Sequence, residues 1–138
     1  MAKLNELTAH ELRERILSQE ISAEELALAV FDRMDEVEDR INAYVTLTRE
    51  TAVKKAKEID KRIGSNEPVG TLAGIPIAVK DNICTLGTRT TCASHMLENY
   101  IPPYDATVVE RLKQQDGIIV GKTNMDEFAI NLHLSGED

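Results

Sequence analysis

The N-terminal part of the chain alternates polar and apolar residues with the period of an α-helix. In three successive stretches the apolar residues fall three or four positions apart, and each stretch predicts one amphipathic helix. We place these helices at residues 8–18, 22–40 and 49–63, with a short β-prone segment at 43–47. The stretch 64–70 contains two glycines and a proline, which predicts a loop after the third helix.

Two of these helices carry an N-terminal signal of their own. Thr8 is followed three residues later by Glu11, and Ser22 is followed in the same way by Glu25. This is the pattern of the capping box, in which the hydroxyl and the carboxylate each accept a hydrogen bond from a backbone N–H that the helix leaves free. We therefore expect the first two helices to begin at these positions.

The pattern changes after residue 74. Residues 75–79 and 118–120 are continuous apolar runs, which are typical of strands that are buried on both faces. Between them, a helical pattern opens at Asp105 and is expected to end at Gly117. A strand, a helix and a second strand over this distance form a βαβ unit, which predicts a parallel pair and an α/β fold.

This change of pattern suggests two regions. Residues 1–70 form an N-terminal helical region, and residues 71–138 form the start of an α/β core. Within the second region, residues 85–94 have no helical period and predict a loop, and residues 124–128 predict the start of another helix.

Composition narrows the classes of function. The 138 residues include 24 acidic and 16 basic side chains, a formal net charge of -8, so the chain has no basic surplus for binding a phosphate backbone. The chain shows no apolar run long enough to span a bilayer and no signal peptide at its N-terminus, so we expect no membrane partner. Two cysteines give no disulfide framework, and a reduced cytoplasmic protein is expected.

Residues 117–123, GIIVGKT, invite comparison with a nucleotide-binding P-loop. The P-loop has four residues between its glycines, whereas this stretch has three. These three are apolar strand residues whose N–H groups we expect in a sheet ladder and not around a phosphate. The sequence therefore argues against an ATP-binding protein.

The histidines and cysteines give no metal site. The spacing of Cys84, Cys92 and His95 is not that of a zinc knuckle, and there is no second closely spaced pair. One cysteine is expected to be a buried thiol and the other a loop thiol. His10 and His133 have no nucleophile near them in sequence and are expected at the surface. We expect no metal and no cofactor in this chain.

Lys80 is the candidate catalytic residue. It ends an apolar strand, and strand alternation places its side chain on one face with Pro76 and Ala78, which are short, and Asp81 on the other. Open α/β sheets place their sites at the carboxyl ends of parallel strands. A lysine that enters a dry pocket there has a lowered pKa and becomes a usable base.

Four motifs then occur in a specific order: GIPIAVKDN, TTCAS, PPYDATVVERL and GKTNMDEFA. Together, over residues 72–129, they resemble the amidase signature family. Within that family the chain is most similar to the A-type subunits of the tRNA-dependent amidotransferases, and the helical N-terminus shares this similarity. The resemblance implies an amidase-signature α/β fold, of which this chain would hold the N-terminal helices and the first βαβ part of a mixed sheet.

The resemblance also implies a chemistry. Enzymes of this family use a Ser–cis-Ser–Lys triad, and Lys80 matches the triad lysine. The neutral lysine takes a proton from the nucleophilic serine through the bridging serine, an acyl-enzyme forms, and ammonia leaves. In the tRNA-dependent enzymes the substrate is glutamine, and ammonia passes to a partner subunit that holds the tRNA. ATP and magnesium are expected in that partner, within a heterotrimer of A, B and C type subunits.

The chain departs from the family pattern after the last motif. Family members carry both serines in a Gly/Ser-rich segment downstream, and residues 130–138 do not match it. Ser94 and Ser135 are not in matching motifs. We therefore expect an N-terminal part of the subunit that is inactive alone. The alternatives are a non-catalytic interaction module and part of another amide hydrolase of the family.

Overall fold

The computed structural model describes residues 3–130. Three helices form the N-terminal part: α1 (Ala9–Leu17), α2 (Ala23–Ile41) and α3 (Arg49–Gly64). Their bounds agree with the predicted ones to within one residue at each end. A shorter helix, α4 (Thr107–Gln114), lies in the second half. No helix in the described part of the chain is both long enough and apolar enough to cross a membrane.

Both predicted capping boxes are confirmed. The Thr8 hydroxyl accepts a hydrogen bond from the Glu11 N–H at 3.3 Å, and the Glu11 carboxylate accepts one from the Thr8 N–H at 2.9 Å. At α2, the Ser22 hydroxyl accepts from the Glu25 N–H at 3.0 Å, and the Glu25 carboxylate accepts from the Ser22 N–H at 2.8 Å. These bonds satisfy N–H groups that the first helical turn leaves free.

A second group caps α2 from a distance. The Asp60 carboxylate on α3 accepts hydrogen bonds from the Ala23 N–H at 2.7 Å and the Glu24 N–H at 3.0 Å. A carboxylate at a helix N-terminus also interacts favourably with the helix dipole. Asp60 therefore joins the start of α2 to α3, a contact that no local sequence pattern indicates.

The three strands form one mixed sheet in the order β1-β3-β2. They are β1 (Tyr44–Leu47), β2 (Pro76–Lys80) and β3 (Ile118–Thr123). The strands β2 and β3 are parallel and α4 lies between them in sequence, so the predicted βαβ unit is confirmed. The strand β1 pairs with β3 in the antiparallel sense, which brings a segment from before residue 70 into the same sheet.

The strand β3 is longer than the predicted 118–120 and continues through residues 121–123. The glycine in this extension allows β1 to approach closely. A Cβ atom at Gly121 would lie 2.6 Å from the Thr46 carbonyl oxygen and 2.8 Å from the Tyr44 ring. A side chain at this position would therefore separate the two strands.

Two predictions about helices in the second region are corrected. The helix expected from Asp105 to Gly117 is shorter, since α4 runs from Thr107 to Gln114, and Asp116 adopts the left-handed conformation after it, with φ of 61°. The predicted helix start at 124–128 is instead a single 3₁₀ turn at 127–129. Phe128 within that turn has φ of 52°, which a right-handed helix does not accommodate.

One apolar core joins the three N-terminal helices to the sheet. Helix residues such as Leu26 and Phe31 are fully buried and pack in the same cluster as Ile75, Ile118 and Val120. The cluster thus draws on residues from both sides of position 70. A division of the chain at that position stays a prediction, and the packing makes the two regions mutually dependent.

Asp116 makes a polar connection between the same two regions. Its carboxylate accepts hydrogen bonds from Arg62 Nη1 at 2.7 Å and from the Gly70 N–H at 2.8 Å, and Lys55 Nζ lies 3.5 Å away. Burial alone would raise the pKa of Asp116, but the bonds from Arg62 and Gly70 outweigh it and hold the pKa below its ordinary value.

Candidate functional site

The carboxyl ends of β2 and β3 meet at one edge of the sheet. Lys80 is the last residue of β2, and it pairs with Thr123, the last residue of β3. As predicted, Lys80 shares a strand face with Ala78, and both are exposed, whereas Val79 and Asp81 are buried. The described residues leave Lys80 open to solvent and do not form the dry pocket that its pattern predicted.

The fully buried lysine at this edge is Lys122. Its Nζ atom donates hydrogen bonds to the Ile83 carbonyl oxygen at 2.7 Å and to Thr90 Oγ1 at 2.8 Å, and it lies 3.8 Å from Asp81 Oδ1. Burial lowers the pKa of Lys122, and the nearby Asp81 carboxylate opposes that shift. Lys122 therefore sits inside a polar cluster that the sequence did not predict.

Asp81 is the second buried charge of the cluster. Its Oδ2 atom accepts hydrogen bonds from the Thr91 hydroxyl at 2.5 Å and the Thr91 N–H at 3.1 Å. Its backbone N–H donates to the Thr123 carbonyl oxygen at 3.1 Å, and its carbonyl oxygen accepts from the Cys92 N–H at 2.9 Å. Within the described residues Oδ1 has no hydrogen-bond partner, so it faces the Lys122 ammonium without a direct bond.

Alternation along the chain does not predict the burial of Lys122. The register of β3 against β2 shifts between Ile119 and Gly121, so Lys122 pairs with the buried Val79 and does not continue the face of Ile118. The three residues between the glycines of the P-loop-like stretch, 118–120, lie in β3, as expected.

An open cleft of about 290 Å³ lies beside the cluster. Thr91 and Asn124 are among its lining residues, together with Ser94 and Arg89. The Ser94 hydroxyl is buried, donates to Glu127 Oε1 at 2.5 Å and accepts from the Met96 N–H at 3.2 Å. Because both roles of this hydroxyl are occupied, Ser94 is not placed as an activated nucleophile.

The remaining candidate residues do not come together as a metal site. Within residues 3–130, no group of three or more histidine, cysteine or acidic side chains is arranged to hold a metal ion. Cys84 and Cys92 are free, half-buried thiols, and burial raises the pKa of Cys92, with Asp81 adding to the shift. His10 and His95 are exposed. The predictions for His133 and Ser135 lie outside the described residues.

The fold agrees with the comparison to known families. The Amidase family model matches residues 25–136, which is most of the chain. The chain therefore belongs to the amidase family, as the four ordered motifs indicated.

Sequence relatives narrow the similarity further. The A-type subunit of glutamyl-tRNA(Gln) amidotransferase from Carboxydothermus hydrogenoformans is 57% identical over 124 residues, which are 90% of this chain and 26% of that protein. The corresponding subunit from Desulforamulus reducens is 54% identical over 127 residues, 92% of this chain and 26% of that protein. The chain thus spans about a quarter of the length of these relatives and aligns with their N-terminal part.

Solved structures confirm the amidase-signature fold. The peptide amidase from Stenotrophomonas maltophilia superposes with a TM-score of 0.84 at 30% identity, over 89% of this chain and 26% of that one. A bacterial aryl acylamidase of the amidase signature family gives a TM-score of 0.82 at 26% identity, over 88% of this chain and 26% of that one. The described residues correspond to a part of these folds.

Proposed function

We propose that this chain is the N-terminal part of the A-type subunit of a glutamine-hydrolysing amidotransferase, with Lys80 as its catalytic base. The ammonia would convert Glu-tRNA(Gln) to Gln-tRNA(Gln), or Asp-tRNA(Asn) to Asn-tRNA(Asn). The observation that carries the proposal is an accessible lysine at the carboxyl end of a parallel strand, in a chain 57% identical to such a subunit.

Two lysines lie at this edge of the sheet, and their surroundings favour Lys80 as the base. A base must reach the group whose proton it accepts. Lys80 is exposed on its strand face, whereas Lys122 is enclosed and donates to the Ile83 carbonyl oxygen and to Thr90. Lys122 could act as a base only if the cluster around it came apart.

The reaction needs groups that residues 1–138 do not carry. Neutral Lys80 accepts a proton relayed by a bridging serine from the nucleophilic serine, whose oxygen forms a bond to the amide carbonyl carbon. The carbon–nitrogen bond breaks, the proton goes to the leaving nitrogen as ammonia departs, and water releases glutamate. No Gly/Ser-rich segment in these residues matches the family's serine segment. We infer that residues 1–138 alone release no ammonia from glutamine.

The acidic composition supports a division of labour in the complex. With a net charge of -8, this chain is poorly suited to bind the tRNA backbone. The tRNA is therefore assigned mainly to a partner subunit, which also uses ATP and magnesium, within a cytoplasmic complex of A, B and C type subunits. This chain binds glutamine, with the rest of its subunit, and holds no cofactor of its own.

The test is a chimera in which residues 1–130 replace the aligned segment of the Carboxydothermus hydrogenoformans subunit, produced with its partner subunits. Lys80→Met should lower kcat for ammonia release by about 10²- to 10⁴-fold, because it removes a general base. Lys80→Arg should lose activity too, since a guanidinium stays protonated. Lys54→Met, at an exposed position on α3, is the matched control and should leave kcat unchanged.

Near-normal turnover in Lys80→Arg would overturn the assignment of Lys80 as the base. The structural likeness to a peptide amidase and an aryl acylamidase favours one alternative, an amide hydrolase that needs no partner. Turnover of other amides at rates above that of glutamine would support this alternative. Glutamine turnover that rises when partner subunits and tRNA are added would support the amidotransferase.

A further inference from the structure

Two buried charges flank the proposed catalytic lysine on neighbouring strands. Lys80 pairs with Thr123 across β2 and β3. Asp81 follows Lys80 directly, Lys122 precedes Thr123 directly, and both charged side chains are fully buried. The backbone that carries Lys80 is thus held on each strand by a residue of the same polar cluster.

The cluster also fixes the segment that follows Lys80. Asp81 binds the hydroxyl and the N–H of Thr91 through its carboxylate, and the Cys92 N–H through its carbonyl oxygen. Lys122 binds the same segment at two further points, the Ile83 carbonyl oxygen and Thr90 Oγ1. Residues 81–92 therefore fold back on the strand ends through hydrogen bonds of the two buried charged residues. Backbone hydrogen bonds add to them, such as that from the Ile83 N–H to the Lys80 carbonyl oxygen at 3.0 Å.

We propose that Lys122 and Asp81 are positioning residues that fix the end of β2 and thereby the reach of the Lys80 amine. This inference rests on the proposed function of Lys80. It gives Lys122 a role distinct from that of the base. Lys122 fixes the backbone at the end of β2, next to Lys80, and accepts no proton in the reaction. Displacing a reacting group by about 1 Å can cost about 10²-fold in rate, so such a role is visible in kcat.

Energetics argue that this pair does more than stabilise the fold. Burying two charges costs solvation, and apolar residues of similar size are often at least as stable. Here one carboxylate oxygen even lacks a hydrogen bond within the described residues. A buried carboxylate oxygen without a hydrogen bond, next to a candidate catalytic residue, points to a functional role, because strained and unpaired polar groups concentrate at functional sites.

The first test uses Lys122→Met in the chimera described above, with thermal unfolding measured on the same sample. We expect kcat for glutamine to fall about 10²-fold with KM changed by less than about threefold, in protein that stays folded at the assay temperature. Wild-type kcat in folded Lys122→Met would overturn the proposal. A loss of more than about 10²-fold in Lys122→Met, with kcat of Lys80→Met near that of the wild type, would instead identify Lys122 as the base and refute both proposals.

A milder pair of variants serves if Lys122→Met does not fold. Thr91→Val keeps the shape of the side chain but removes the hydroxyl that binds Asp81, whereas Thr91→Ser keeps the hydroxyl. We expect kcat to fall about tenfold in Thr91→Val, with KM little changed, and to stay near wild type in Thr91→Ser. Equal kcat in Thr91→Val and wild type would overturn the positioning role, and the Lys80 assignment would stand on its own variants.

Discussion

The parts of the chain before and after Lys80 bury different kinds of side chain; we call residues 3–79 the helical half and residues 81–130 the polar half. Up to residue 79, the fully buried side chains of the described chain are apolar and come mostly from α1, α2 and α3. From residue 81 onward, burial includes a set of polar and charged side chains. They are Asp81, Thr85, Thr90, Thr91, Ser94, Asp116 and Lys122.

The two halves are therefore held together by different kinds of interaction. The helical half is held by apolar surface, which is non-directional and tolerates rearrangement of similar volumes. The polar half is held around Lys80 by hydrogen bonds. These have preferred lengths and directions, and losing one partner of a buried hydrogen bond lowers the free energy of unfolding. The candidate site therefore lies where directional hydrogen bonds fix the backbone, whereas the helices contribute most of the buried apolar side chains.

The largest effect on stability should come from the helical half. Phe31 is fully buried in α2, with the Arg49 guanidinium 4.8 Å from its ring centroid. Phe31→Ala should lower the free energy of unfolding by about 3–5 kcal/mol, because it leaves a cavity in the core. Urea unfolding measures this, with Ile41→Ala, 60% exposed on the same helix, as a control within about 0.5 kcal/mol. Equal effects of the two variants would contradict the described core.

Sequence patterns predicted the helical half well, because its determinants are local. The stripes of α1 to α3 and the capping pairs of Thr8 and Ser22 lie within a few residues of each other, so spacing alone locates them. The parallel strands were also predicted from apolar runs and the helix between them. The candidate Lys80 came from its place at a strand end and from the family motifs.

The polar cluster could not be predicted in the same way. Lys122 binds Ile83 and Thr90 across 39 and 32 positions of the chain, and no periodicity links residues so far apart. The extension of β3 was missed because a glycine and a lysine are weak strand formers. The 3₁₀ turn at 127–129 was missed because a left-handed Phe128 has no sequence signature.

A smaller effect on the free energy of unfolding, and one that depends on pH, should come from Asp116 in the polar half. Asp116, with a lowered pKa, contributes stability that is fully present above its unfolded value near 3.9 and is lost as pH falls through the folded value. Asp116→Asn should cost about 2 kcal/mol at pH 7, because it removes charged hydrogen bonds, and asparagine still tolerates the left-handed backbone.

The difference between wild type and Asp116→Asn should shrink as pH falls below about 3.9 and through the lower folded pKa, because protonation removes the same charge. Urea unfolding at several pH values measures this. Asp35→Asn is the matched control, since Asp35 pairs with Arg49 at 2.6 Å but is 61% exposed, and surface pairs contribute little. A cost at pH 7 that persists unchanged at low pH would show that Asp116 acts through shape and not charge.

The smallest effect should come from the helix caps, and it tests how far the helical half depends on single hydrogen bonds. Ser22→Ala should cost about 1 kcal/mol, the usual value for a lost N-cap. The start of α2 should nevertheless stay fixed, because Asp60 still accepts from the Ala23 and Glu24 N–H groups. Thr8→Ala at α1 should cost a similar amount. Among the described residues no second carboxylate caps this helix, so the first turn of α1 should open. Amide hydrogen exchange distinguishes the two: faster exchange of the Ala23 amide in Ser22→Ala would contradict the role assigned to Asp60.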